Sequence, residues 1–198
     1  VATFASKDAN AAGTLVNMTG ISLGGTDGAN YSIANPTASL SAVIAPKDIT
    51  VTFTGATKTY DGLTTASVTG GTSYFVGGDA PTYTGVVADF ADKNAGTGKT
   101  INISGYSLTG TGAGNYNILN STATTSATIN KKALTMAGIT AASKVYDGNT
   151  AATLDTTAVT LTGKLAGDDL TLNATGTFSD KNVGTGKNVT IASTYTGA

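Results

Sequence analysis

The sequence predicts an all-β fold with little or no helix, built as tandem units of about 86 residues, each an elongated β-sandwich or a β-grasp-like sheet. Three observations lead to this prediction. Apolar and polar residues alternate in short runs, glycine-rich turn signals separate the runs, and the runs recur in the same order along the chain. No window of a dozen residues has apolar residues at the i, i+3, i+4 and i+7 spacing of a helix, and the helix formers Glu, Gln and Arg are missing.

The strands are predicted from strict alternation, which places every second residue on one face of a sheet. Threonine dominates the opposite face, where its β-branched side chain favours extended backbone. The apolar residues of the clearest runs are Ile49, Val51 and Phe53; Ile101 and Ile103; Leu170 and Leu172; and Val189 and Ile191.

Turn signals separate these runs. Glycine adopts positive φ without a steric cost, and Asp or Asn bonds to neighbouring backbone. The clearest signals are Asp61-Gly62, Gly77-Gly78-Asp79, Gly96-Thr97-Gly98 and Gly112-Ala113-Gly114-Asn115.

Internal repetition sets the domain organisation. The stretch KTYDGLTTA from Lys58 returns as KVYDGNTAA from Lys144, and FADKNAGTGKTINI from Phe90 returns as FSDKNVGTGKNVTI from Phe178. A weaker form of the second stretch begins at Phe4, where KDAN and AAGT replace DKNA and GTGK. Such recurrence at a fixed period is typical of tandem arrays.

The late part of the unit recurs as well. YSLTGTGAGNYNILN from Tyr106 matches ISLGGTDGANYSIAN from Ile21, and TATTSATINKKALT from Thr122 matches TASLSAVIAPKDIT from Thr37. We therefore predict three segments. Residues 1–46 are the C-terminal part of a first repeat, 47–131 a complete repeat, and 132–198 the N-terminal part of a third.

The Tyr-Asp-Gly triplets are predicted to be structural turns. Aspartate would cap the turn, glycine would take the left-handed position, and the tyrosine ring would fill the end of the core. Catalysis by the aspartates would require a second titratable group, and the chain offers only Asp, Lys and Tyr for that role. We expect no enzymatic activity and no catalytic or cofactor-binding residues. The turn residues are Tyr60, Asp61 and Gly62, and Tyr146, Asp147 and Gly148.

Taken together, KTYDGLTTA, FADKNAGTGKTINISGYSLTG, AGNYNI and ATINKKALT resemble the YDG-type repeat of large bacterial surface adhesins. These are haemagglutinin-like proteins, often exported by two-partner secretion and frequently carrying related MBG repeats. The resemblance covers essentially the whole chain. It implies an extracellular stalk or adhesion role without catalysis, and it transfers no functional residue.

Three alternatives for chemistry depend on Asp and Lys. GTGK at Gly96–Lys99 and Gly184–Lys187 lacks the spacing and the following helix of a phosphate loop, and its lysine is predicted at a solvent edge. Calcium binding at Asp168 and Asp169, or at Asp147 and Asn149, stays open, although neither pair has the spacing of a calcium loop. An isopeptide crosslink at Lys93-Asn94 or Lys181-Asn182 would need a buried acid beside it.

A ligand loop is the main alternative to a purely structural role. Tyr74, Phe75 and Tyr83 lie in the most variable part of the unit, where exposed aromatics would suit a glycan or a host receptor. The composition excludes other partners. With 11 basic and 12 acidic residues there is no basic stripe for nucleic acid, and no apolar window is long enough for membrane insertion.

The absence of cysteine favours an extracellular, surface-located protein. The expected partners are neighbouring repeats of the same protein, through head-to-tail or lateral self-association, and matrix or host glycans. Residues 1–46 hold late strands of a repeat and residues 132–198 hold early strands, so one chain could complete the next.

Overall fold

The computed structural model describes residues 1–71 and 74–196. Over these residues the chain is all-β, as predicted, with several small sheets and two three-residue 3-10 turns at Gly28–Asn30 and Ala113–Asn115. No helix in the described part is long and apolar enough to span a membrane. Contacts divide the chain into two units: residues 1–58 with 63–129, and residues 59–62 with 130–198. The segment boundaries predicted from the repeats stay a prediction.

The head segment, residues 1–46, contains one antiparallel sheet. Its strands, in the order β1-β2-β3, are β1 (Ala2–Phe4), β2 (Asn10–Met18) and β3 (Ala38–Ile44). A bulge lies between Asn10 and Thr14, where Gly13 has a φ of 94°. The bulge therefore forms although the head lacks the Gly-Thr-Gly-Lys sequence of the other repeats.

The complete repeat, residues 47–131, contains ten strands in its described part. They are β4 (Lys47–Ile49), β5 (Phe53–Gly55), β6 (Lys58–Thr59), β7 (Val68–Gly70), β8 (Thr82–Thr84), β9 (Val87–Phe90), β10 (Gly96–Ser104), β11 (Ser107–Thr109), β12 (Tyr116–Ile118) and β13 (Thr122–Asn130).

The largest sheet of the complete repeat has the strand order β6-β13-β10-β9, with β10 antiparallel to both of its neighbours. β8 pairs with β11 and β5 with β7, both antiparallel, whereas β4 and β12 are parallel. The alternation of the sequence is confirmed in burial: Ile101 is 0% and Ile103 2% exposed, and Val51 is 1% exposed. The buried apolar residues are Ile49, Val51, Phe53, Ala88, Phe90, Ile101, Ile103, Tyr106, Tyr116 and Ile129.

The run DITVTFT does not form a single strand, although its alternation predicts one. β4 and β5 are separated at Thr50–Thr52, where a side chain replaces a neighbouring strand. Asn120 Oδ1 accepts the Val51 amide at 2.8 Å, and Asn120 Nδ2 donates to the Val51 carbonyl at 2.9 Å. The same Nδ2 also donates to the Tyr106 hydroxyl at 2.8 Å. Alternation still decides which residues are buried, but the ladder partner changes along the run.

The third repeat, residues 132–198, is described to residue 196. Its strands are β14 (Thr135–Ala137), β15 (Thr140–Ala141), β16 (Ala151–Ala152), β17 (Leu154–Asp155), β18 (Thr160–Thr162), β19 (Thr171–Phe178) and β20 (Val189–Thr196). They form a sheet of order β16-β19-β20 and the antiparallel pairs β14-β18 and β15-β17.

The third repeat rebuilds the register of the complete repeat. Phe178 pairs with Val189 as Phe90 pairs with Ile101. Two residues further along the strand, Ile191 occupies the position that Ile103 has in the complete repeat. The β15-β17 register likewise matches β5-β7, since Thr140 faces Asp155 as Thr54 faces Thr69. Equivalent sequence thus forms equivalent structure in both repeats.

Candidate functional site at the YDG turns

The YDG turn of the complete repeat follows directly after β6. Gly62 has a φ of 80°, the left-handed conformation that glycine adopts without strain. The Tyr60 amide donates to the Asn130 carbonyl at 2.8 Å, which ties the turn to the end of β13. The Tyr60 hydroxyl donates to Asp168 Oδ1 at 2.7 Å, within the same contact unit. That hydrogen bond, with a smaller effect of burial, raises the pKa of Tyr60.

The YDG turn of the third repeat has the same left-handed glycine, and its aspartate accepts a hydrogen bond from the turn backbone. Gly148 has a φ of 76°, and Asp147 Oδ1 accepts the Asn149 amide at 3.1 Å. The aspartate therefore caps the turn. The pKa of Asp147 is lowered, first by the hydrogen bond from Lys144 and then by the Asn149 amide.

A lysine two residues before each tyrosine holds the loop closed, and sequence reasoning did not identify its role. Lys58 Nζ donates to the Leu63 carbonyl at 2.8 Å and to the Thr65 carbonyl at 3.0 Å. Lys144 Nζ donates to the Asn149 carbonyl at 2.9 Å and to Asp147 at 2.8 Å. The recurrence of Lys-x-Tyr-Asp-Gly was the available signal.

Each of these lysines also lies over an aromatic ring. Lys58 Nζ is 5.5 Å from the centroid of Phe90, and Lys144 Nζ is 5.7 Å from that of Phe178. These distances allow a cation–π attraction. Contacts with backbone carbonyls, a carboxylate and a ring therefore identify both lysines as structural ties of their own loops.

The tyrosine rings do not fill the core as expected. Tyr60 is half-buried, and Tyr146 is 58% exposed. The difference between the two repeats has a structural reason. Tyr60 lies beside the end of β13, whereas the described part of the third repeat contains no strand in that position.

The lysine of the GTGK segment does not lie at a solvent edge, so that prediction is wrong. The side chains of Lys99 and Lys187 are only 14% and 18% exposed, and they form ion pairs with Asp92 and Asp180. A bulge between Gly96 and Lys99 interrupts the register of β10, in place of the separate turn that was expected. The ion pair is the main reason that the pKa of Asp92 is lowered.

The calcium site and the isopeptide crosslink, which both require carboxylates, find little support in this structure. The described residues contain no group of three or more Asp, Glu, His or Cys side chains suited to a metal ion. Lys93 and Asn94 are exposed, and the neighbouring Asp92 side chain is 51% exposed. The Lys-Asn pair therefore lacks the buried acid that a crosslink would need.

The aromatic residues of the predicted ligand loop pack against one another and against the core. The ring of Tyr83 lies 5.3 Å from that of Phe53, and the ring of Phe75 lies 5.1 Å from that of Tyr116. The Tyr83 hydroxyl donates to the Gly71 carbonyl at 2.8 Å, and the Tyr74 hydroxyl contacts Thr52 at 2.5 Å. All three loop aromatics are half-buried. Packing explains their positions, and a ligand role stays a prediction.

A buried aspartate joins the head segment to the complete repeat inside the first unit. The Asp79 side chain is 4% exposed and accepts Lys7 Nζ at 2.6 Å and Asn115 Nδ2 at 2.9 Å. Asn115 also bonds to the head, through the Ala9 amide at 2.7 Å and the Asp8 carboxylate at 3.0 Å. The hydrogen bonds from Lys7 and then Asn115 lower the pKa of Asp79.

The model of the YDG domain family matches residues 45–126 and again residues 130–198. The chain therefore belongs to the YDG domain family and carries that domain in tandem. No curated protein and no solved structure matches the chain.

Proposed function

We propose that the chain is a non-catalytic structural part of an extracellular bacterial adhesin or surface fibre, in which YDG repeats act as a stalk or spacer. The observation that carries this proposal is the rebuilding of one strand register in consecutive repeats. A protein whose units repeat and contact their neighbours gains length with each added unit. The surface location rests on the resemblance to haemagglutinin-like adhesins and on the absence of cysteine.

Contacts between consecutive repeats support a spacer role. Lys7, Asp8 and Ala9 of the head segment bond to Asp79 and Asn115 of the complete repeat. These contacts combine an ion pair with backbone and amide hydrogen bonds, so they restrict both distance and orientation. A junction of this kind favours a limited range of bending over a free joint.

The polar side chains at the YDG turns support a role without catalysis. Lys58, Lys144 and Asp147 are engaged in holding their own loops closed. A general acid or base would instead have to present its proton to a substrate within hydrogen-bond reach.

Small-angle scattering on chains extended by further copies of residues 47–131 tests the spacer role. A stiff spacer predicts a radius of gyration that rises in proportion to the number of repeats. The radius of gyration of a compact assembly would rise only with about the 0.38 power of chain length. Proportional growth supports the proposal, and growth along the compact curve would refute it.

Glycan or receptor binding is the competing function. Substitution of a loop aromatic residue distinguishes it from the spacer role. If Tyr83 binds a ligand, Tyr83→Ala abolishes adhesion and leaves the unfolding free energy unchanged. The contacts of Tyr83 with Phe53 and the Gly71 carbonyl predict instead a destabilised repeat.

A further inference from the structure

The YDG turn of the complete repeat contacts the repeat that follows it. By their contacts, residues 59–62 group with the third repeat. The Tyr60 hydroxyl donates to Asp168 Oδ1 at 2.7 Å, and a β-carbon added at Gly62 would lie 3.3 Å from Leu165 Cδ1. The polar contact and the close approach of the backbone therefore fall on one short turn of the third repeat.

That turn, residues 165–168, has a counterpart in the complete repeat. The Asp168 amide donates to the Leu165 carbonyl at 3.3 Å, and the Asp79 amide donates to the Val76 carbonyl at 3.0 Å. A glycine with positive φ precedes each aspartate, with a φ of 78° in the complete repeat and 90° in the third. We call this feature the Gly-Asp turn. Equivalent backbone thus presents an aspartate at the same point of both repeats.

In the complete repeat as well, the aspartate of the Gly-Asp turn accepts a group from the segment before it. The Asp79 side chain is 4% exposed and accepts Lys7 Nζ of the head segment at 2.6 Å. This contact lies within the first unit, and the contact of Tyr60 with Asp168 lies within the second. The aspartate of the Gly-Asp turn is therefore the acceptor in two separate places along the chain.

The two donors come from stretches that lie side by side within a repeat. The head-segment lysine belongs to the Phe-x-x-Lys stretch, and the tyrosine belongs to the YDG turn. In the complete repeat the Phe90 amide donates to the Thr64 carbonyl at 2.8 Å, and in the third repeat the Phe178 amide donates to the Thr150 carbonyl at 2.8 Å. These hydrogen bonds join the start of the Phe-x-x-Lys stretch to the chain just after the YDG turn. One region of a repeat therefore supplies both donors.

We propose that the YDG turn is the docking element of a repeat, and that its partner is the Gly-Asp turn of the following repeat. The Tyr60 hydroxyl supplies the polar contact, because a hydrogen bond to an ionised carboxylate is stronger than one between neutral groups. Gly62 permits the close approach to Leu165, since it carries no β-carbon. This inference rests on the proposed function and deepens it, because it names the surface that the signature turn binds.

Thiol labelling of the full 198-residue chain tests the docking, because the chain contains no cysteine of its own. Leu165→Cys places a probe beside the YDG turn, at a half-buried position. The matched control is Leu161→Cys, which is also half-buried and lies in β18 of the same repeat. Tyr60→Phe is then added to each probe chain, because it removes the hydroxyl and keeps the ring.

We expect Tyr60→Phe to raise the labelling rate of Leu165→Cys about tenfold, as loss of one hydrogen bond to a charged group would shift the opening of the turn. The labelling rate of Leu161→Cys should not change. An unchanged rate at Leu165→Cys would overturn the proposal. An equal rise at both probes would overturn it too, because Tyr60 would then stabilise the repeat as a whole.

A second substitution identifies the acceptor. In a chain that carries Asp168→Ala, Tyr60→Phe should produce no further rise at Leu165→Cys. In the control chain with Asp169→Ala, at the exposed neighbouring position, Tyr60→Phe should keep its full effect. A full effect of Tyr60→Phe in the Asp168→Ala chain would refute the assigned partner. Either failure leaves the spacer role intact, because that role is tested by growth with repeat number.

Discussion

Truncation of two equivalent isoleucines, one in each repeat, should have unequal effects on stability. Ile103 and Ile191 occupy the same register position, but Ile103 is 2% exposed and Ile191 is 39% exposed. Ile103→Ala removes three buried carbons at about 0.8 kcal/mol each and leaves a cavity, so we expect a loss of about 3 kcal/mol. Ile191→Ala removes carbons that water already reaches and leaves no sealed cavity, so we expect about 1 kcal/mol.

Hydrogen exchange as a function of urea concentration measures both losses in one chain. A single unfolding curve would be unsuitable, because a chain of two units need not unfold in one step. Exchange resolves the opening of β10 and of β20 separately. Thr190→Ala, at an exposed position beside Ile191, is the control and should change little. Equal losses for the two isoleucine variants would contradict the difference in burial between the two repeats.

Two further predictions concern the turns and the junction. Gly62→Ala forces a side chain into positive φ and should cost about 1–2 kcal/mol, measured by amide exchange in urea for the unit that contains the turn. Gly114→Ala, with no neighbour within 4 Å, should cost its own unit less. Equal costs would contradict the turn geometry. The folded-state pKa of Asp79 is lowered, so its contribution to stability is present above its unfolded pKa of about 4 and is lost as the pH falls. Amide exchange at Ala9 should therefore gain protection with pH in the native chain and lose that dependence in Asp79→Asn, but not in the control Asp27→Asn.

Much of the fold was predictable because burial follows alternation. Ile49, Val51 and Phe53 are all buried, as their shared face requires. Alternation does not indicate which strand or side chain pairs with each strand. The amide of Asn120 completes the ladder at Val51, and nothing within DITVTFT indicates a residue so distant in sequence.

The YDG turns were predictable to a similar extent. Positive φ at Gly62 and Gly148 and the cap by Asp147 follow from local turn chemistry. The exposure of Tyr146 does not, because it depends on whether a β13-like strand lies beside the turn. The ion pair between Lys99 and Asp92 was also missed, since the bulge that directs the lysine inward is a feature of pairing and not of composition.

Stretching single 198-residue chains held at both ends tests most directly whether the complete repeat is a folded unit that resists force. If residues 47–131 unfold as one step, the released length should be about 280–305 Å, from about 3.3–3.6 Å per extended residue, less the end-to-end distance of the folded repeat. A force peak followed by that increment is the predicted result. Extension without a peak, or an increment far from that length, would contradict a stalk built from folded YDG repeats.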